Sequence, residues 1–109
     1  MIVLCWNEKQ FSGIHDHSSS HCFVKVLKGK IRETLYNNPN LEDNKSQNHS
    51  LNVKQETEYT KNKVAYIHDN IGLHKMGNPS PTEKSVTMHI YIPPYKKCHI
   101  FNEKNSCCE

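Results

Sequence analysis

Apolar residues along this chain come in short runs punctuated by Gly, Pro and Asn. Helical periodicity is hard to find, and short punctuated runs are the pattern of an all-β sandwich or barrel. "MIVLCW", residues 1–6, reads as a strand, and "HCFVKVLKG", 21–29, as another that stops at Gly29. "KIRETLYN" follows almost at once, so Gly29 is expected in a hairpin turn. Residues 37–50, "NNPNLEDNKSQNHS", read as a polar loop. "LNVKQ" and "KVAYIH" read as strands, and "NIGLHKMGNPSPT" as turns around one short strand. "SVTMHIYI", residues 85–92, is the clearest strand, and it ends at a Pro-Pro pair that cannot continue a central ladder. "CHIF" is a last short strand, and residues 102–109 read as a polar tail. No repeat and no inter-domain linker is visible.

Alternation along "SVTMHIYI" puts Val86, Met88, Ile90 and Ile92 on one face and Ser85, Thr87, His89 and Tyr91 on the other. A hydroxyl, an imidazole and a phenol therefore line one side of one strand. On an edge strand that row is simply the wet face. Beside a metal it becomes a second-sphere chain, with Thr87 orienting His89 and His89 bonding Tyr91.

Composition narrows the setting. The chain has 109 residues, 35% of them hydrophobic, and a mean hydropathy of -0.80. That is polar for one self-sufficient domain, so the chain is loop-rich or lacks some core partners. The net charge of +3 comes from scattered lysines with no basic run alternating with aromatics, which argues against nucleic acid. No stretch approaches the ~20 apolar residues of a membrane helix, and "MIVLCW" lacks the form of a secretory signal. Five cysteines, Cys5, Cys22, Cys98, Cys107 and Cys108, form no CxxC pair and suit a reducing, cytoplasmic compartment.

Eight histidines are many for this length, and three fall within "HDHSSSHC", residues 15–22. On a strand, His15 and His17 point to one face, so their imidazoles can converge on one ion. Zn, Fe, Cu and Ni all accept imidazole; solvent-exposed loop histidines are the alternative. The spacing G-x-H-x-H, four residues, Cys22, six residues, Gly29 resembles the first motif of the cupin superfamily, with Cys22 where a metal-binding glutamate usually stands. "GLHKMGN", with His74 three residues ahead of Asn78, resembles the second cupin motif, one residue short between glycine and histidine.

Together, "IHDHSSSHCFVKVLKG", "YIHDNIGLHKMGN" and "MHIYIPPYKKCHIF" resemble cysteine dioxygenase, the thiol dioxygenase branch of the cupins, in order over residues 1–101. The resemblance implies a cupin double-stranded β-helix core over residues 1–101, incomplete at its ends, and a polar tail over 102–109. It implies Fe(II) held by His15, His17 and His74. It implies that L-cysteine and O2 are the substrates and cysteine sulfinic acid the product, in cysteine catabolism towards taurine. It implies a cytoplasmic monomer without nucleic-acid or membrane partners. Cys22 and Tyr91 match the family's thioether-crosslinked pair, and His89 and Thr87 the remaining catalytic row, with Thr87 where the family usually has serine. Leu4 and Trp6 match positions near the pocket, and Cys98 one near its mouth, non-catalytic and open to disulfide exchange. Asp16 and His21 are expected to be bystanders.

Some features depart from the family. Its arginine for the substrate carboxylate lies upstream of "LCW", where this chain has no counterpart, and its chains extend further at both ends. Ile92 stands before "PP" where serine is common, in a stretch expected to carry a cis peptide. The chain therefore reads as the metal-bearing middle of the enzyme. The alternatives are a catalytically impaired metal-binding fragment and a dioxygenase of another small thiol.

Overall fold

The structure, a computed structural model, describes residues 1–17, 20–37, 52–94 and 100–101. Most of the expected 37–50 loop, Cys98, Cys107, Cys108 and the 102–109 tail lie outside the described residues. The described residues form nine strands: β1 (Ile2–Trp6), β2 (Ile14–His15), β3 (His21–Lys28), β4 (Lys30–Tyr36), β5 (Val53–Thr60), β6 (Val64–Ile67), β7 (Leu73–Gly77), β8 (Ser85–Ile92) and β9 (Ile100–Phe101). They form two antiparallel sheets, ordered β1-β8-β3-β6 and β5-β4-β7-β2-β9. Among the described residues no helix is long and apolar enough to cross a membrane.

The core follows from alternation on β3. Cys22, Val24 and Val26 turn inward and pack with Trp6, Ile31, Ala65, Ile67 and Met76 from both sheets. Branched side chains at every second position suit a pleated surface buried on one side. A second, smaller cluster joins Ile14, Tyr36 and Leu73. On β8 the polarity is reversed: Ser85, Thr87 and His89 are buried, while Val86, Met88 and Ile90 are half-buried on the outer side. A polar row facing inward has no place in a plain apolar core and marks where the sandwich stops being one.

Two expectations about the chain path change. Gly29 does not turn a hairpin, because β3 pairs with β6 and β8, whereas β4 pairs with β5 and β7. Gly29 instead carries the chain from one sheet to the other, at φ +72° with Ser85 and Lys84 packed where a side chain would be. Glycine is the residue that adopts this backbone without a Cβ penalty. The strand expected from "LNVKQ" begins at Val53 and runs on to Thr60. Its polar residues lie on a sheet edge, held by the β4 ladder and by pairs such as Arg32–Glu58 at 3.2 Å, so no apolar alternation announces it. The peptide between Ile92 and Pro93 is cis, as expected for that stretch.

Candidate metal centre

The H-x-H pair sits where a very short strand gives out: His15 ends β2, and His17 lies two residues on. β2 pairs with β7 so that His15 stands opposite His74. The ladder thus sets two of the three rings side by side, and the bend after β2 brings the third. The centroid distances are 5.0 Å for His15–His17, 4.7 Å for His15–His74 and 4.5 Å for His17–His74, each edge to face. His74 Nε2 lies 3.0 Å from His17 Nε2 and 3.1 Å from His15 Nε2.

The outer nitrogens decide what those contacts mean. His15 Nδ1–H donates to the Gly13 carbonyl at 2.8 Å, and His74 Nδ1–H donates to Glu33 Oε2 at 2.8 Å. In a neutral imidazole the other nitrogen then carries a lone pair. His15 and His74 therefore aim lone pairs at each other across 3.1 Å. Such an arrangement is favourable only with a cation between them, so these residues fit a metal ion. The three rings are the group of described residues able to hold one, with ligand atoms all within 4.8 Å of one another.

The same burial keeps the rings neutral. His74 is held well below the ordinary histidine pKa of 6.5 by desolvation, then by repulsion from His15 and His89. His17 is pushed down to about 2 by burial and by its two neighbours. His15 is lowered by burial, against the Gly13 bond and the charges of Asp16 and Asp69. Metal ligands must be unprotonated, so a site that rejects protons this strongly is prepared for a cation that binds through lone pairs.

Beside the rings lies a cleft of about 80 Å³, lined among others by Leu4, Trp6, Cys22, His89 and Tyr91. This is room for a small molecule. One wall is the inward row of β8. Trp6 Nε1–H donates to Thr87 Oγ1 at 2.8 Å, Thr87 Oγ1 lies 2.7 Å from His89 Nε2, and His89 Nδ1 lies 3.5 Å from Tyr91 Oη. Burial lowers the His89 pKa to about 4, with His15 adding to it. Cys22 stands opposite Tyr91 in the β3–β8 ladder. Burial and the Glu33 charge push its thiol up to about 12 against a bond to Tyr91, so it is a thiol, not a thiolate, at neutral pH.

The structure therefore gathers His15, His74, Cys22, His89, Tyr91, Leu4 and Trp6 around one cleft, with His17 beside His15 and His74 and Thr87 directly behind His89. His21 is elsewhere, exposed and bonded to Tyr66 Oη at 2.6 Å. Asp16 differs from the bystander expected: it is buried, and its charge acts on both His15 and His17. The sequence reading overlooked Glu33 and Asp69. Asp69 Oδ1 accepts the His17 backbone N–H at 2.8 Å and lies 3.7 Å from His17 Nδ1. Glu33 had a visible signal, since it shares the strand phase of Ile31 and Leu35 in "KIRETLY"; Asp69, in a turn, had none.

A two-sheet antiparallel sandwich with three histidines converging beside a small cleft is a cupin-type domain with a candidate metal centre. Comparison with known proteins narrows the class: the family model for Cysteine dioxygenase type I matches residues 1–104, and the chain belongs to that family. It is 42% identical over 104 residues to Cysteine dioxygenase type 1 of Rattus norvegicus. The figures are 43% for the protein of that name from Homo sapiens and 40% for that from Danio rerio. Each match covers 95% of this chain and 50% of the relative, so the chain spans about half the length of these relatives.

Proposed function

We propose that the chain binds iron(II) through His15, His17 and His74 and oxidises free L-cysteine to cysteine sulfinic acid, with both atoms of one O2 passing to sulfur. The observation that carries this is the convergence of three neutral imidazoles, two of which, His15 and His74, line a small cleft that Cys22, His89 and Tyr91 also line. Iron(II), when bound, supplies the site that takes a thiolate and activates oxygen. Three imidazoles bring no negative charge, so an anionic ligand such as the substrate's sulfur is favoured.

The remaining residues handle protons and position. Trp6 donates into Thr87 Oγ1, which frees the Thr87 proton for His89 Nε2. His89 then keeps its ring proton on Nδ1, the nitrogen facing Tyr91. Tyr91 Oη is thereby oriented towards the cleft, where it can bond the thiol or hold its proton. Cys22 and Tyr91 stand opposite each other in the β3–β8 ladder, which supports a thioether link between them. In that link S–H and a ring C–H give way to C–S, and two protons and two electrons pass to O2. Its mark is an intact mass two hydrogens lower after aerobic turnover, with both residues in one linked peptide. Separate unmodified peptides under those conditions would count against it. The reading takes the protein as a monomeric, cytoplasmic enzyme of cysteine catabolism; the free thiols of Cys5 and Cys22 suit that compartment.

The direct test is anaerobic loading with iron(II), then L-cysteine and O2, with sulfinate read by mass spectrometry and oxygen uptake measured beside it. Sulfinate formed in step with O2 is expected, and its absence from a folded, iron-loaded chain overturns the assignment. A second reading, an iron-binding β domain without turnover, is favoured by one fact. The single arginine, Arg32, pairs with Glu58 on the outer hairpin, away from the cleft that a substrate carboxylate would enter. Iron bound tightly without sulfinate selects that reading. Turnover of another small thiol in preference to L-cysteine selects a different substrate.

A further inference from the structure

We propose that Glu33 supplies, from behind His74, the negative charge that the three-histidine centre lacks among its direct ligands. By doing so it limits how tightly the centre takes an anionic thiol. The inference rests on the metal reading above and adds to it a residue that sets the charge of the site.

Glu33 is buried in β4, 7% exposed, in phase with the inward Ile31. Both carboxylate oxygens are held inside the molecule. Oε2 accepts the His74 Nδ1–H at 2.8 Å, and Oε1 accepts the Tyr59 hydroxyl at 3.4 Å. Taking a carboxylate out of water costs several kcal/mol unless an opposite charge is close. Among the described residues no lysine or arginine pairs with Glu33, and its one ion-pair contact is His74. His74 gives its Nδ1 proton to Glu33 and turns Nε2 towards the nitrogens of His17 and His15, so the counter-charge that fits is a cation on that far nitrogen. A carboxylate behind a ligating histidine fixes the tautomer and makes the ring a stronger donor. The charge also reaches the cleft itself, since it opposes ionisation of Cys22. Where a cupin would hold a carboxylate on the metal, this chain has Cys22, and its carboxylate sits one residue further out.

The test uses the full chain with cobalt(II), anaerobically, and azide as an anion without a thiol. E33Q keeps an oxygen to accept the His74 proton and removes only the charge. Cobalt affinity is expected to fall about 10–100-fold, the usual cost of losing such a partner, while azide binds the loaded variant severalfold more tightly. Opposite signs separate a charge effect from damage, because a distorted site loses both. Glu33→Asp keeps the charge but draws it back from His74; both effects should appear there with smaller size, which carries the test if E33Q does not fold. Unchanged cobalt affinity, or azide affinity unchanged or weakened, overturns the inference alone. A wild-type chain that binds no cobalt overturns the metal reading and this inference with it.

Discussion

At the scale of single residues, the direction of a hydrogen bond matters more than its presence. Trp6 has one proton to give and no lone pair, so its 2.8 Å bond to Thr87 Oγ1 runs one way only. That bond turns an ambiguous hydroxyl into a donor towards His89. Threonine helps, because its branched Cβ restricts the rotation a serine would retain. Trp6→Phe keeps an aromatic ring in the core and removes the donor. Loss of that buried bond should lower stability by about 1 kcal/mol in urea unfolding, beyond the change in ring size. Thr87→Val removes the acceptor and leaves the indole N–H unpaired. If the two act as a pair, the double variant is less damaged than the sum of the singles by about 1 kcal/mol. Strict additivity would sink the idea that Trp6 acts through Thr87.

At the scale of elements, what was legible depended on whether a strand's pattern matched its burial. β3 alternates apolar-in, and β8 alternates just as cleanly with its polar side in, so both were visible as strands and the chemical row on β8 as a row. β5 is exposed along most of its length, and a strand held by an edge ladder leaves no hydrophobic trace. Gly29 was legible as a turn glycine but not as a crossing between sheets, since both uses are open to a positive φ. The phase of Glu33 on β4 marks it as inward, but its partner is legible only once β7 is known to lie beside β4, with Leu35 opposite His74. That register rests on Gly72, whose φ is +147° and whose missing side chain leaves room for the Tyr36 carbonyl. Gly72→Ala would place a methyl against that oxygen in a backbone that L-residues avoid. The expected loss is about 2 kcal/mol or more, seen as a lower unfolding midpoint. Cobalt binding should weaken too, because His74 lies two residues on. A variant with native stability and affinity would show that β7 is set by other contacts.

At the scale of the whole molecule, the centre makes the fold sensitive to acid. His15, His17, His74 and His89 are all held below the ordinary 6.5, chiefly by burial, with His17 near 2 and His89 near 4. Released by unfolding, each takes up a proton at about its ordinary value, so below that pH the unfolded chain binds more protons than the folded one. Stability therefore rises with pH across this window and falls as pH drops, by up to about 1.4 kcal/mol per pH unit for each histidine. Glu33 works the other way. Burial raises its pKa, so the folded chain holds that proton longer and recovers some stability in acid. Four groups outweigh one, and the metal-free chain should lose stability steadily in urea unfolding between about pH 7 and 5. Saturating cobalt should raise stability across that window without changing the slope, because it binds only the folded state, whose rings are already unprotonated. His89→Gln separates the fold's acid response from the metal's, since His89 is not among the three converging rings. Its slope should fall by about one proton's worth with cobalt affinity largely kept. An unchanged slope in that variant would mean that His89 is already protonated in the folded chain, and the order of bonds from Trp6 to Tyr91 would have to be reversed.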